Sequence, residues 1–247
     1  MGYWYFRYPF KTMGISQNYN GSYSHKKYST GNRKDYPIDE AGSDTGRDYM
    51  YAMNDLVVKK IYGLGSSSRP NTIWLQTKNK VVTPLGIGYV TFRATHMSDA
   101  DLKKYKVGQT IKRGTKMFRE GTDGGATGNH IHMTFGQGKY KSPGWKPNNK
   151  GAYVLTTTDK NRKPEKILFR DTTFTKKVRM TAGLKFKTKP KRKNKITKKK
   201  VNVRKSYSAK STRVGILPKG KKVTVYVTRG KYSCIGANMW VMTKYLK

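Results

Sequence analysis

The chain has 247 residues, enough for one large domain or two small ones, yet only 35% of them are hydrophobic. It carries 53 Lys and Arg against 13 Asp and Glu, a formal net charge of +40, which favours polyanionic partners throughout. The single cysteine, Cys234, excludes an intramolecular disulfide framework, and the absence of a long apolar run excludes a membrane-spanning helix.

The first residues, from Met1 to Arg7, are aromatic and lack the basic-then-apolar order of a signal peptide, so no export leader is expected. Residues 1–170 read as one β-rich domain. The runs 72–76, 88–93 and 131–135 are β-branched or aromatic and are bounded by Gly, Asn, Ser and Pro. One short helix is expected over residues 98–105, with Ser98 as its cap, Asp99 and Asp101 in its first turn and Gly108 beyond its end.

Residues 171–247 hold 24 basic side chains and one acid, Asp171. Within them, 171–199 reads as an extended basic linker, because its lysines repel one another and cannot be buried. Residues 200–247 return to short strands, at 201–204, 214–217, 223–227 and 239–242, with turns at Pro218, Gly220 and Gly230. Strands so short and close suggest a small barrel. Cys234 reads as a small buried residue of this module. The expected fold class is therefore mainly β, in two unequal parts.

Four histidines stand out. His130-Ile131-His132 places two imidazoles on one face of a strand, because residues two apart point the same way. On its own the pair also fits two histidines on a solvated strand face. His25 follows a polar, aromatic loop, and His96 ends the run 90–95. Asp39, between Ile38 and the small residues Ala41 and Gly42, reads as an inward carboxylate at a strand end, although a turn-forming Asp has the same neighbours. Catalytic zinc commonly takes three His or carboxylate ligands and keeps one position open. His25, Asp39 and one of the paired histidines would make such a set. No His-Glu-x-x-His helix is present.

The stretches Ile15-Ser16-Gln17-Asn18-Tyr19-Asn20-Gly21-Ser22-Tyr23-Ser24-His25, Tyr36-Pro37-Ile38-Asp39, Ala94-Thr95-His96-Met97 and Gly125-Ala126-Thr127-Gly128-Asn129-His130-Ile131-His132 occur in that order. Together they resemble the lysostaphin/LytM-type zinc metallo-endopeptidases, specifically phage endolysins of Gram-positive hosts. The resemblance implies an antiparallel-sheet peptidase domain with a groove. It implies Zn2+ as cofactor, held by His25, Asp39 and His132, with His96 and His130 as catalytic residues at the open coordination position. Tyr23, Tyr28, Asn71 and Trp145 are candidates to line that groove and fit core or loop positions equally well.

Thirteen residues separate His25 from Asp39 where the family has three. A longer loop over 27–34 between two ligand-bearing strands would absorb them at little entropic cost. It leaves Asp35 as a rival ligand, with Asp39 favoured by its apolar and small flanks.

The C-terminal strands, with Gly215-Ile216-Leu217-Pro218-Lys219-Gly220 and Trp240-Val241-Met242-Thr243-Lys244-Tyr245-Leu246, resemble bacterial SH3-like cell-wall-binding domains. That resemblance implies wall contact through an aromatic groove, for which Tyr207, Tyr226, Tyr232 and Trp240 are available; each also fits core packing, which is favoured for Trp240. The combined expectation is a monomeric peptidoglycan endopeptidase, retained in the host cytoplasm until released to the cell wall. Peptidoglycan, and secondarily teichoic acids, would be its partners, with no specific nucleic acid, since no base-reading motif is present. The alternative is a non-catalytic polyanion or cell-wall binding protein.

Overall fold

The computed structural model describes residues 3–21, 24–41, 46–157, 160–179 and 183–247. Its centre is an eight-stranded sheet. The strands are β1 (Ile15–Gln17), β2 (Ile38–Glu40), β3 (Leu56–Tyr62), β4 (Thr72–Thr77), β5 (Val90–Thr95), β6 (Thr110–Ile111), β7 (Ile131–Gln137) and β8 (Lys160–Arg162). They run in the order β6-β3-β4-β5-β7-β2-β1, with β8 also paired to β7, and every ladder is antiparallel. The mainly β, antiparallel expectation holds.

The middle of this sheet is covered on both faces. β5 is buried along its whole length, which is why Val-Thr-Phe-Arg-Ala-Thr does not alternate between apolar and polar residues. Phe6, Phe92, Phe118, Phe135, Ile73 and Met133 belong to the large core around it. The expected helix at 98–105 is shorter: α2 spans Asp99–Leu102, and Ser98 Oγ accepts from Asp101 N at 3.2 Å as its cap. The loop expected at 27–34 starts instead as one helical turn, α1 (Lys26–Thr30), so His25 stands at a helix N-cap and not on a strand.

The 171–199 segment is extended but adheres to its neighbours. Leu184 and Phe186 pack against the large core, and Lys193–Ile196 pairs antiparallel with Lys222–Val225. Beyond it lie β9 (Val201–Arg204), β10 (Arg213–Leu217), β11 (Val227–Arg229), β12 (Tyr232–Gly236) and β13 (Met239–Met242). They form a five-stranded antiparallel sheet in the order β10-β9-β13-β12-β11. This path is open, with no ladder between its end strands among the described residues, where the sequence suggested a barrel.

A second apolar cluster joins the two ends of the chain. Tyr5, Val82, Ile87 and Phe169 pack with Tyr226, Tyr232, Cys234 and Trp240. The N-terminal segment runs between the hairpin Val81–Thr83/Gly86–Gly88 and residues 167–170. Phe6 N donates to Val82 O, and Tyr8 N to Phe169 O, both at 2.9 Å. Gly86 sits against Trp240, where a Cβ would come within 2.7 Å of Cζ2. Tyr226, Tyr232 and Trp240 are thereby buried, while Tyr207 remains exposed.

Candidate metal centre

Strand register brings the first two side chains together. His132 on β7 lies opposite Asp39 on β2, and directly opposed residues on one face of an antiparallel pair have neighbouring Cβ atoms. His132 Nδ1 lies 3.0 Å from Asp39 Oδ1. His25 reaches in from the N-cap of α1, with Nε2 3.2 Å from Asp39 Oδ2 and 3.3 Å from His132 Nδ1. All three residues are buried.

These separations fit a metal. Ligand atoms that bind zinc at about 2.0–2.2 Å in a tetrahedron stand roughly 3.3–3.6 Å from one another. His25, Asp39 and His132 each offer a ligand atom, all within 4.8 Å of one another. Two imidazoles and one carboxylate suit a divalent transition metal. Asp35 is elsewhere: its carboxylate accepts from Tyr36 N and Leu155 N, both at 2.9 Å.

The tautomers can be read from backbone carbonyls, which only accept. His25 Nδ1 is 3.0 Å from Asn18 O, His96 Nδ1 is 2.6 Å from Asp123 O, and His130 Nδ1 is 2.9 Å from Gly128 O. Each Nδ1 therefore carries the proton, and each Nε2 presents a lone pair. For His25 that lone pair faces Asp39 and His132. His130 Nε2 lies 3.7 Å from Asp39 Oδ1, and the His96 and His130 rings are 4.7 Å apart. His132 differs: it faces the cluster with Nδ1, and its buried Nε2 has no hydrogen-bond partner among the described residues.

His96 is held in an unfavourable conformation, with φ at 85°. Its N donates to Asn71 O at 3.0 Å, and its carbonyl accepts from Asp123 N at 3.3 Å. Asn71, expected to line a groove, is buried and serves this support instead, donating through Nδ2 to Asp99 Oδ1 at 2.7 Å.

Electrostatics follow from burial and these contacts. Burial opposes the charge on Asp39, but the His132 and His25 imidazoles packed against it outweigh burial and hold the carboxyl well below its usual range. Burial pushes His132 down to about 3, against the pull of Asp39, so the ring is neutral and competent as a ligand. Burial also lowers His96, with His130 adding to the effect and the Asp123 carbonyl opposing it.

Beside the cluster lies a groove of about 440 Å³. Tyr28 and Trp145 line it as expected, together with Tyr62, Trp74, Arg93 and Tyr153; Tyr23 lies outside the described residues. Two residues had no role in the sequence reading. Gln17, opposite Asp39 on β1, donates through Nε2 to Asp39 Oδ2 at 2.9 Å and to Ser24 Oγ at 3.1 Å. Arg93 is buried in β5 and donates through Nη1 to Tyr153 O at 2.6 Å. The signal for Gln17 was its strand position facing Asp39; for Arg93 it was a cation inside an otherwise apolar run.

Fold and site together define a mainly β protein with a buried two-histidine, one-carboxylate cluster that could hold a metal, set against an open groove. No protein-family model matches the chain, and no curated protein does. Among solved structures, it is similar to a zinc-containing peptidase from Vibrio cholerae at 19% identity and a TM-score of 0.29, over 42% of this chain and 26% of that one. The match thus spans about a quarter of that peptidase. It is also similar to the antimicrobial peptidase lysostaphin from Staphylococcus simulans, at 12% identity and a TM-score of 0.33, over 95% and 92% of the two chains. A solution structure of lysostaphin gives 13% identity and a TM-score of 0.32, over 84% and 79%. At TM-scores this low, the site rests on its own distances and strand register.

Proposed function

We propose that the protein is a zinc-dependent peptidoglycan endopeptidase of the endolysin kind, cleaving stem-peptide or cross-bridge amide bonds. The observation that carries this reading is the convergence of His25, Asp39 and His132 beside an open groove, with two further imidazoles offering free Nε2 atoms. The ordered His-x-His and Asp motifs support it.

His25 Nε2, Asp39 and His132 Nδ1 would hold the ion. The chemistry it supplies there is Lewis acidity toward an amide carbonyl and an attacking water. His130 and His96 supply proton handling. With Nδ1–H pinned to Gly128 O and Asp123 O, each Nε2 can accept a proton from the attacking water. The imidazolium so formed can then donate to the leaving amine, or stabilise the negative oxygen as the carbonyl is attacked. The groove orients the peptide and excludes part of the solvent.

Residues 1–170 form the catalytic part in this reading, 171–199 a basic connection, and 200–247 a wall-binding module of the SH3-like kind. The exposed Tyr207 is that module's surface aromatic, and the uniform positive charge favours teichoic acids as an added anchor. The enzyme would reach the wall when the host cell is opened.

The test combines metal analysis with wall clearing. Purified protein should hold one zinc per chain, and clearing of Gram-positive wall should stop on chelation and in His132→Ala. Clearing that persists in both would sink the zinc mechanism. Salt-sensitive DNA binding by a protein that takes up no zinc would favour the non-catalytic polyanion binder instead.

A further inference from the structure

The groove carries a charge pattern that amide hydrolysis does not require. Its wall is aromatic: Trp74 and Trp145 stack at 5.2 Å between ring centroids, and Lys60 Nζ lies 3.7 Å over the Trp145 ring. Among the described residues, its charged lining side chains, apart from the histidines, are Arg69 and Arg93, and no Asp or Glu lines it. Arg69 is exposed and Arg93 is buried.

Neither arginine has a carboxylate within ion-pair distance among the described residues. The counter-charge that Arg93 feels is Asp35, which is fully buried and already accepts from two backbone N–H groups. The groove is therefore positive, and its aromatic walls reduce the screening that water would provide. Arginine also matches a carboxylate geometrically, since its planar fork can donate two parallel hydrogen bonds.

An uncharged glycine chain offers nothing to these cations. A stem peptide with a free carboxylate near the bond to be cut offers the complementary charge. We propose that the groove selects peptides bearing a free carboxylate close to the scissile amide, over uncharged glycine-only bridges, with Arg69 and Arg93 as the residues that recognise it. This rests on the peptidase reading in taking the groove as the substrate cleft.

The experiment uses the full chain and three probes, each N-acetylated and C-terminally amidated: a stem tetrapeptide with a γ-linked glutamate whose α-carboxylate is free, the same peptide with that group amidated, and pentaglycine. Binding is followed by tryptophan fluorescence, and cleavage by mass spectrometry with zinc added. The free acid should bind about tenfold more tightly than its amide, as a charge-assisted hydrogen bond implies. The advantage should shrink with added salt. Arg69→Gln should remove most of the preference without changing thermal unfolding, because the side chain is exposed.

Equal binding of acid and amide, or pentaglycine binding as tightly as the acid, would overturn the proposal. So would a preference that survives in both Arg69→Gln and Arg93→Gln. Selective binding with no cleavage of any probe would instead overturn the peptidase reading and leave the selectivity of the groove standing.

Discussion

Gln17 Nε2 donates to Asp39 Oδ2 at 2.9 Å, from the strand that lies directly opposite the carboxylate. The amide orients Asp39 so that its oxygens meet His25 and His132, and partners of this kind tune metal affinity through the ligand they hold. Gln17→Ala should weaken zinc binding by roughly 10–100-fold while leaving the fold intact. Competition against a chromogenic chelator measures this directly. An unchanged affinity would show that Asp39 needs no help.

His96 and His130 should separate from His132 in their phenotypes. Replacing either with alanine should lower the hydrolytic rate by roughly 10²–10⁴-fold with zinc still bound. His132→Ala should lose the metal as well. Metal content and wall-clearing rate, measured on the same preparations, distinguish the two classes. Zinc loss in His96→Ala would move that residue among the ligands.

Asp35 should give the protein a measurable acid preference in its stability. Burial raises its carboxyl to about 6, although Arg93 and two backbone N–H groups pull the other way. A raised folded pKa stabilises the protein below the unfolded value, near 3.8, and that stability is lost as pH rises through the folded value. From pH 4 to pH 7, wild type should therefore lose about 2 kcal/mol relative to Asp35→Asn. Urea unfolding of both proteins across that range supplies the difference. A gap independent of pH would show that Asp35 ionises as easily in the folded chain as in the unfolded one.

Gly86 should tolerate no side chain. Its φ is 127°, and an added Cβ would stand 2.7 Å from the Trp240 ring. Gly86→Ala should cost about 1–3 kcal/mol, as overpacking of a filled contact does. A urea midpoint within error of wild type would mean that the hairpin tip moves aside freely.

Period and type made some of the site legible in the sequence. A His-x-His pair on a strand must share a face, and an Asp between apolar and small residues reads as turned inward; the ladder pairing His132 with Asp39 follows the same logic. His25 was less accessible, because its place depends on the helical turn of α1 and on Asn18 O, neither of which its neighbours announce. Asn71 fitted a groove or a core position equally well in the sequence for a related reason: its amide is taken by Asp99, 28 residues away. The electrostatic coupling of Arg93 to Asp35, and the packing of Trp240 on Gly86, are likewise interactions across long sequence separations. No local pattern encodes such contacts.

Tyr5, Val82, Ile87 and Phe169 are sheltered by Tyr226, Tyr232 and Trp240, from the other end of the chain. A fragment ending near residue 170 would thus present a bare oily face to water, and should clump when expressed alone. In the intact molecule this shared cluster ties the groove-bearing sheet to the C-terminal strands. Any anchor provided by those strands would then restrict which bonds the cleft can reach.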